Sequence, residues 1–107
     1  MRIIARSTLT AFVDSLGGSK DRLAVKAALD SWFHEVSHAH WKNSADIKRR
    51  YVTASIVTAE RIVFNIKGND YRLVASVDFS RSIVWIKWIG THRDYDRIDV
   101  KEVRHER

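Results

Sequence analysis

The chain has 107 residues, of which 45% are hydrophobic and 30% charged, and it has no cysteine. That suits one domain over residues 1–107 with one modest core, and it excludes a disordered chain or a disulfide-stapled scaffold. The opening run Met1-Arg2-Ile3-Ile4-Ala5-Arg6-Ser7-Thr8 has no signal-peptide core, and no stretch approaches the roughly 18 apolar residues of a membrane span, so a reducing cytoplasm is expected. The formal charge of +6 is uneven: residues 41–107 hold fourteen Lys and Arg against nine Asp and Glu, residues 1–40 five against four. A basic half of this kind, with a pI near 10.0, points to a polyanionic partner such as nucleic acid.

Arg2 to Ala5 is a short apolar run that reads as an edge strand. Ser7 or Thr8 can cap a helix in which Leu9, Phe12, Val13 and Leu16 recur at helical spacing, and Gly17-Gly18 stops it. Ser19 then caps a second helix over residues 19–39, whose stripe of Val25, Leu29, Trp32, Val36 and Ala39 steps by four, three, four and three. The two helices form a hairpin. Ser44 can cap a third helical turn through Asp46 to Arg50.

From Ser55 the pattern changes to strands: Arg61–Ile66, Asp70–Asp78 and Ser82–Ile89, rich in Val, Ile, Phe, Tyr and Trp. The tight turns Lys67-Gly68-Asn69-Asp70 and Asp78-Phe79-Ser80-Arg81 make this an antiparallel meander. Gly90 closes the last strand and Thr91 can cap a helical turn through Ile98, before a charged, frayed tail from Lys101 to Arg107. The expected class is α+β, a helical hairpin packed on a mainly antiparallel sheet. Trp32, Trp41, Trp85 and Trp88 are all expected in the core.

His34-Glu35-Val36-Ser37-His38 matches H-E-x-x-H, in which two histidines on one helix face hold zinc and the glutamate acts as base. With Trp32 at the centre of the buried stripe, His34 and His38 fall about 200° and 240° around the helix and face solvent. The extended form of the motif fails at Trp41 and Ser44. A zinc hydrolase is therefore kept only as a remote reading, and no metal or other cofactor is expected.

Arg72, Lys87, His92 and Tyr95 lie near the ends of adjacent strands. Cations, one imidazole and a phenol suit cleavage of RNA through its own 2′-hydroxyl. Each residue also has a plain structural reading. Arg72 shares a strand face with Val74 and Ser76 and can pair with Asp78 or Asp94. Lys87 can reach to a solvated face, His92 can be a surface turn residue, and Tyr95 can pack into the core.

The pieces Trp41 with Asp46-Ile47-Lys48, Val63-Phe64-Asn65-Ile66-Lys67-Gly68-Asn69, Tyr71-Arg72-Leu73, and Gly90-Thr91-His92 with Asp94-Tyr95-Asp96 resemble the HigB-type toxins of the RelE superfamily. The likeness covers roughly residues 40–99. It departs at Ala45, where relatives often carry proline, and in Arg49-Arg50-Tyr51, which lacks the proline that usually follows.

The resemblance implies a RelE-like fold and endonucleolytic cleavage of mRNA, usually on the translating ribosome. It also implies a small antitoxin partner, commonly a helix-turn-helix protein of the HigA type. In that setting Arg72 clamps the scissile phosphate with Lys87 beside it, His92 is the general acid or base, and Tyr95 stacks on a base or touches the phosphate. Lys67 and Asn69 are RNA-contact candidates, and Lys48, Arg49 and Arg50 a patch for the RNA backbone. The competing reading on the same fold is a non-catalytic basic RNA-binding or interaction module.

Overall fold

The computed structural model describes residues 1–103; the last four residues of the charged tail, 104–107, lie outside the described residues. The elements in chain order are β1 (Arg2–Ile4), α1 (Arg6–Ser15), α2 (Arg22–Ser37), α3 (Ser44–Arg50), β2 (Ser55–Ile56), β3 (Arg61–Ile66), β4 (Tyr71–Asp78), β5 (Ile83–Thr91) and α4 (His92–Tyr95). The sheet order is β1-β5-β4-β3-β2. β1 pairs with β5 in parallel and every other pair is antiparallel, so the fold is α+β with a mixed, mainly antiparallel sheet. The expected meander, the edge strand and the unbroken long helix are present.

The helix starts differ from the sequence expectation, for tertiary reasons. The chain leaves β1 by a sharp reversal at Ala5, whose φ of 75 is left-handed, and α1 begins before either Ser7 or Thr8 can cap it. At α2 the capping position is Asp21, not Ser19, and its carboxylate is drawn away from the helix by the Tyr71 hydroxyl at 3.0 Å and by Lys67 at 3.7 Å. The Ser19 hydroxyl instead accepts from the Asp21 amide and shapes the turn. α3 is capped one residue earlier than expected, by the Asn43 side chain on the Asp46 amide at 3.1 Å.

The helix-side core follows the stripes read from the sequence. Val25, Leu29, Trp32 and Val36 of α2 face Ile62, Phe64, Leu73, Ala75 and Ile86 across the sheet. Phe64 is its aromatic hub, with Trp32 edge-on at 5.4 Å, Tyr51 at 5.1 Å and Trp41 stacked at 6.4 Å.

β5 carries an irregularity that strand alternation does not reveal. Val74 pairs with Trp88 and Ala75 with Ile86, leaving Lys87 as the extra residue of a bulge. Ile86 and Ile89 therefore both reach the helix-side core, while Lys87 and Trp88 turn to the opposite face. Two of the four tryptophans are thus misplaced by the sequence reading. Trp32 and Trp41 are buried, but Trp85 and Trp88 are half-buried on the outer face, level with Ser76 and Val74.

Glu35 latches α3 to α2. It accepts from the Tyr51 hydroxyl at 2.6 Å and forms an ion pair with Arg50. The Tyr51 hydrogen bond, helped by Arg50, holds the Glu35 carboxyl below its ordinary value against the opposing effect of burial. A depressed carboxylate contributes its full stability above the unfolded value of about 4.3 and loses it as pH falls through the folded one. Glu35→Gln should therefore be less stable than the unaltered chain at pH 7, with a urea-midpoint gap that is flat to about pH 5 and closes below about pH 4. A gap independent of pH, or one that widens in acid, would contradict the latch.

Candidate functional site

The face of the sheet turned away from α1, α2 and α3 is built in rows across three strands. Asn65, Arg72 and Gly90 form one row, Val63, Val74 and Trp88 the next, and Arg61, Ser76 and Trp85 a third. Val63 and Val74 are buried although they lie outside the helix-side core. α4 packs on β4 and β5. Beyond α4 the chain returns over this face, and Arg61 fastens it by donating to the Val100 and Val103 carbonyls at 3.2 and 2.8 Å.

Arg72 sits at the open end of this face. Its guanidinium donates to the Asn69 carbonyl at 3.0 Å and lies 5.8 Å from the centre of the Tyr95 ring. Among the described residues no carboxylate reaches it within ion-pair distance. Asp78, one of the two expected partners, accepts from Ser80 and Arg81 within its own turn. A half-exposed cation fixed by a neutral carbonyl retains its charge for an external anion.

The turn and the helix start hold this end together. Lys67 and Gly68, with φ of 52 and 64, turn the chain from β3 into β4 and place the Asn69 carbonyl under Arg72. The His92 amide donates to the Asp70 carbonyl at 2.9 Å, which ties α4 to the same turn. The Thr91 hydroxyl caps α4 on the Asp94 amide, as expected. The His92 ring is exposed, with Nε2 at 3.8 Å from Asp96. Tyr95 is half-buried, its ring between Arg72 and Trp88 and 6.3 Å from the latter.

Arg72, His92 and Tyr95 thus share one end of the outer face. Lys87 shares the face but not the end: its ammonium lies 6.0 Å from the centre of the Trp85 ring, further along the sheet. The expected backbone patch is largely engaged within the protein. Lys48 donates to the Val52 and Ala54 carbonyls at 2.6 and 2.5 Å, Arg50 pairs with Glu35, and Arg49 pairs with Asp46 while remaining well exposed. Lys67 is turned towards Asp70 and Asp21, and the Asp70 hydrogen bond raises its pKa. Asn69 acts in the structure through its backbone carbonyl on Arg72.

Asn65, Trp88 and Gly90 also share this face with Arg72, and sequence reasoning gave none of them a place in the candidate site. Asn65 stands beside Arg72 in register and donates to the Thr53 carbonyl at 3.3 Å; a lone polar residue in an apolar strand was the available signal. Trp88 had no such signal, because the bulge that exposes it leaves no break in composition. His34 and His38 are exposed on α2 with ring centres 4.5 Å apart, and Glu35 is turned to Tyr51 and Arg50. Among the described residues no group of three His, Cys, Asp or Glu side chains is arranged to hold a metal ion.

Set against known protein families, residues 25–98 match the HigB toxin family, described as the RelE-like toxic component of a toxin-antitoxin system. The matched span runs from the first turn of α2 past α4 and includes Arg72, Lys87, His92 and Tyr95. No curated protein matches the chain.

Gly90 has no side chain because the Trp88 indole crosses it. A Cβ at position 90 would stand 2.4 Å from Trp88 Cη2 and 2.6 Å from Cζ2, so the ring would have to move. Overpacking of this kind costs about 1–3 kcal/mol. Gly90→Ala should lower the thermal midpoint by roughly 4–8 °C for each kcal/mol lost and shift tryptophan emission. Unchanged stability and emission would show that the indole does not rest there.

Proposed function

The chain belongs to the HigB family of RelE-like toxins, toxic components that act opposite an antitoxin, and from that premise we propose that it is a metal-independent endoribonuclease. In this reading it cuts messenger RNA on the translating ribosome, with the substrate's own 2′-hydroxyl as nucleophile. The observation that carries the reading is Arg72: a cation on the outer face with no carboxylate partner among the described residues, in ring contact with Tyr95 and at the same end as His92.

The 2′-oxygen attacks the adjacent phosphorus as its proton departs, and the bond from phosphorus to the 5′-oxygen breaks as that oxygen gains a proton. The products are a 2′,3′-cyclic phosphate, opening to a 3′-phosphate, and a free 5′-hydroxyl. His92 exchanges a proton with the reacting oxygens, its exposure leaving the ring open to substrate. Arg72 holds the charge that develops on the equatorial oxygens, already oriented by the Asn69 carbonyl. Tyr95 positions the nucleotide beside Arg72. Lys87 contributes its charge from further along the same face.

The partner in this reading is a helix-turn-helix antitoxin of the HigA type, and the compartment is the cytoplasm. The absence of cysteine fits that compartment. Among the described residues no helix is long and apolar enough to cross a membrane.

General acid–base groups and charge stabilisers each contribute about 10²-fold or more. His92→Gln and Arg72→Ala should each lower single-turnover cleavage on programmed ribosomes by at least about 10²-fold, with little loss of ribosome binding. The new ends should carry a 5′-hydroxyl. Products with a 5′-phosphate, or full activity in His92→Gln, would contradict the mechanism. Inhibition of growth that survives both substitutions would favour a non-catalytic RNA-binding module.

The zinc reading meets a separate test. His34→Ala combined with His38→Ala should leave growth inhibition unchanged, because both rings are exposed on α2, on the other side of the sheet from Arg72. A folded double variant that is harmless to cells would favour the metalloenzyme.

A further inference from the structure

Trp88 has three features that a merely structural tryptophan on this sheet would not need together. The bulge at Lys87 turns it out of the helix-side core, although an unbroken ladder would have set Lys87 and Trp88 on opposite faces. Its six-membered ring is laid across Gly90, the residue in register with Arg72, so the indole reaches into the row that holds the guanidinium. It also stands 6.3 Å from Tyr95, whose ring lies 5.8 Å from Arg72. Arg72, Tyr95 and Trp88 thus form a run of one cation and two aromatic rings on the outer face, and Trp88 remains partly exposed there.

Resting on the ribonuclease reading, we infer that Trp88 is the base-stacking shelf of the site and takes the purine next to the scissile phosphate. A phosphate bound at Arg72 places its own nucleotide over Tyr95 and Trp88. A flat indole fixed against Gly90 meets the π face of the base without having to be ordered first. Stacking does not read hydrogen-bonding edges, so the selectivity it confers is by area. The two fused rings of a purine cover the indole better than the single ring of a pyrimidine. Trp88 is in this sense a specificity-determining residue, while proton transfer and charge stabilisation remain with His92 and Arg72.

The test is single-turnover cleavage on programmed ribosomes carrying messages that differ only in the base flanking the cleaved phosphate. The unaltered chain should cut the purine message several-fold faster than the pyrimidine one. Trp88→Leu, which keeps an apolar side chain near Val63 and Val74, should lower purine cleavage by about 5- to 150-fold and bring the two rates together. Trp88→Phe should retain much of the preference. Circular dichroism melting of each variant separates a loss of fold from a loss of stacking, since a partly unfolded enzyme loses both rates in proportion and keeps their ratio. An unchanged ratio in Trp88→Leu, or no preference in the unaltered chain, would overturn the stacking role and leave the ribonuclease reading standing. If the unaltered chain cut neither message, the ribonuclease reading itself would fall, and the shelf with it.

Discussion

One extra residue in β5 governs the outer face of the sheet. Lys87 is the extra residue of the bulge between Ile86 and Trp88, so the strand returns to the helix-side core only at Ile89, after Ile86. Without the bulge, Trp88 would point into the helix layer and Lys87 alone would face outwards. With it, the sheet presents aromatic surface and positive charge together on the side that α1, α2 and α3 leave open. Glycine at 90 is the complementary requirement, because the indole that the bulge turns out then lies across that position. The rest of the site is placed relative to this pair.

The end of the face that carries Arg72 is held by backbone groups. The Asn69 carbonyl orients the guanidinium, the Asp70 carbonyl accepts from the His92 amide, and the Thr91 side chain starts α4. Turn, strand and helix start are thereby fastened to one another, so three chemically different side chains are presented from rigid neighbours. The neutral partner of Arg72 has a further consequence. A carboxylate there would compete with an incoming phosphate, whereas a carbonyl directs the group and leaves its charge in place.

Much of the fold was legible because it rests on local composition. β3 has the bounds read from its run of Ile, Val and Phe, and α2 buries the first four residues of its predicted stripe and ends before the fifth, Ala39. The caps were misread where tertiary partners decide them: Asp21 is engaged by Tyr71 and Lys67, and Ala5 adopts a left-handed turn that no residue type announces. The two-residue strand Ser55–Ile56, paired with the adjacent β3, is too short to show a period, and the parallel pairing of β1 arises from register with the distant β5. Arg72 on the outer face followed from alternation. Trp88 on that face did not, because a bulge changes the phase of a strand without changing its composition. The basic run Lys48 to Arg50 looked like a free patch, yet its three cations are engaged by the Val52 and Ala54 carbonyls, by Asp46 and by Glu35.

The central claim is that the outer face, at the Arg72 end, is where RNA is bound and cut. The most direct measurement is a cryo-electron-microscopy structure of the His92→Gln chain trapped on a ribosome carrying an intact message. The account predicts a message phosphate within hydrogen-bonding distance of the Arg72 guanidinium, on the face of the sheet that bears Tyr95 and Trp88. A message running along α1 and α2, or one that leaves Arg72 in solvent, would contradict it.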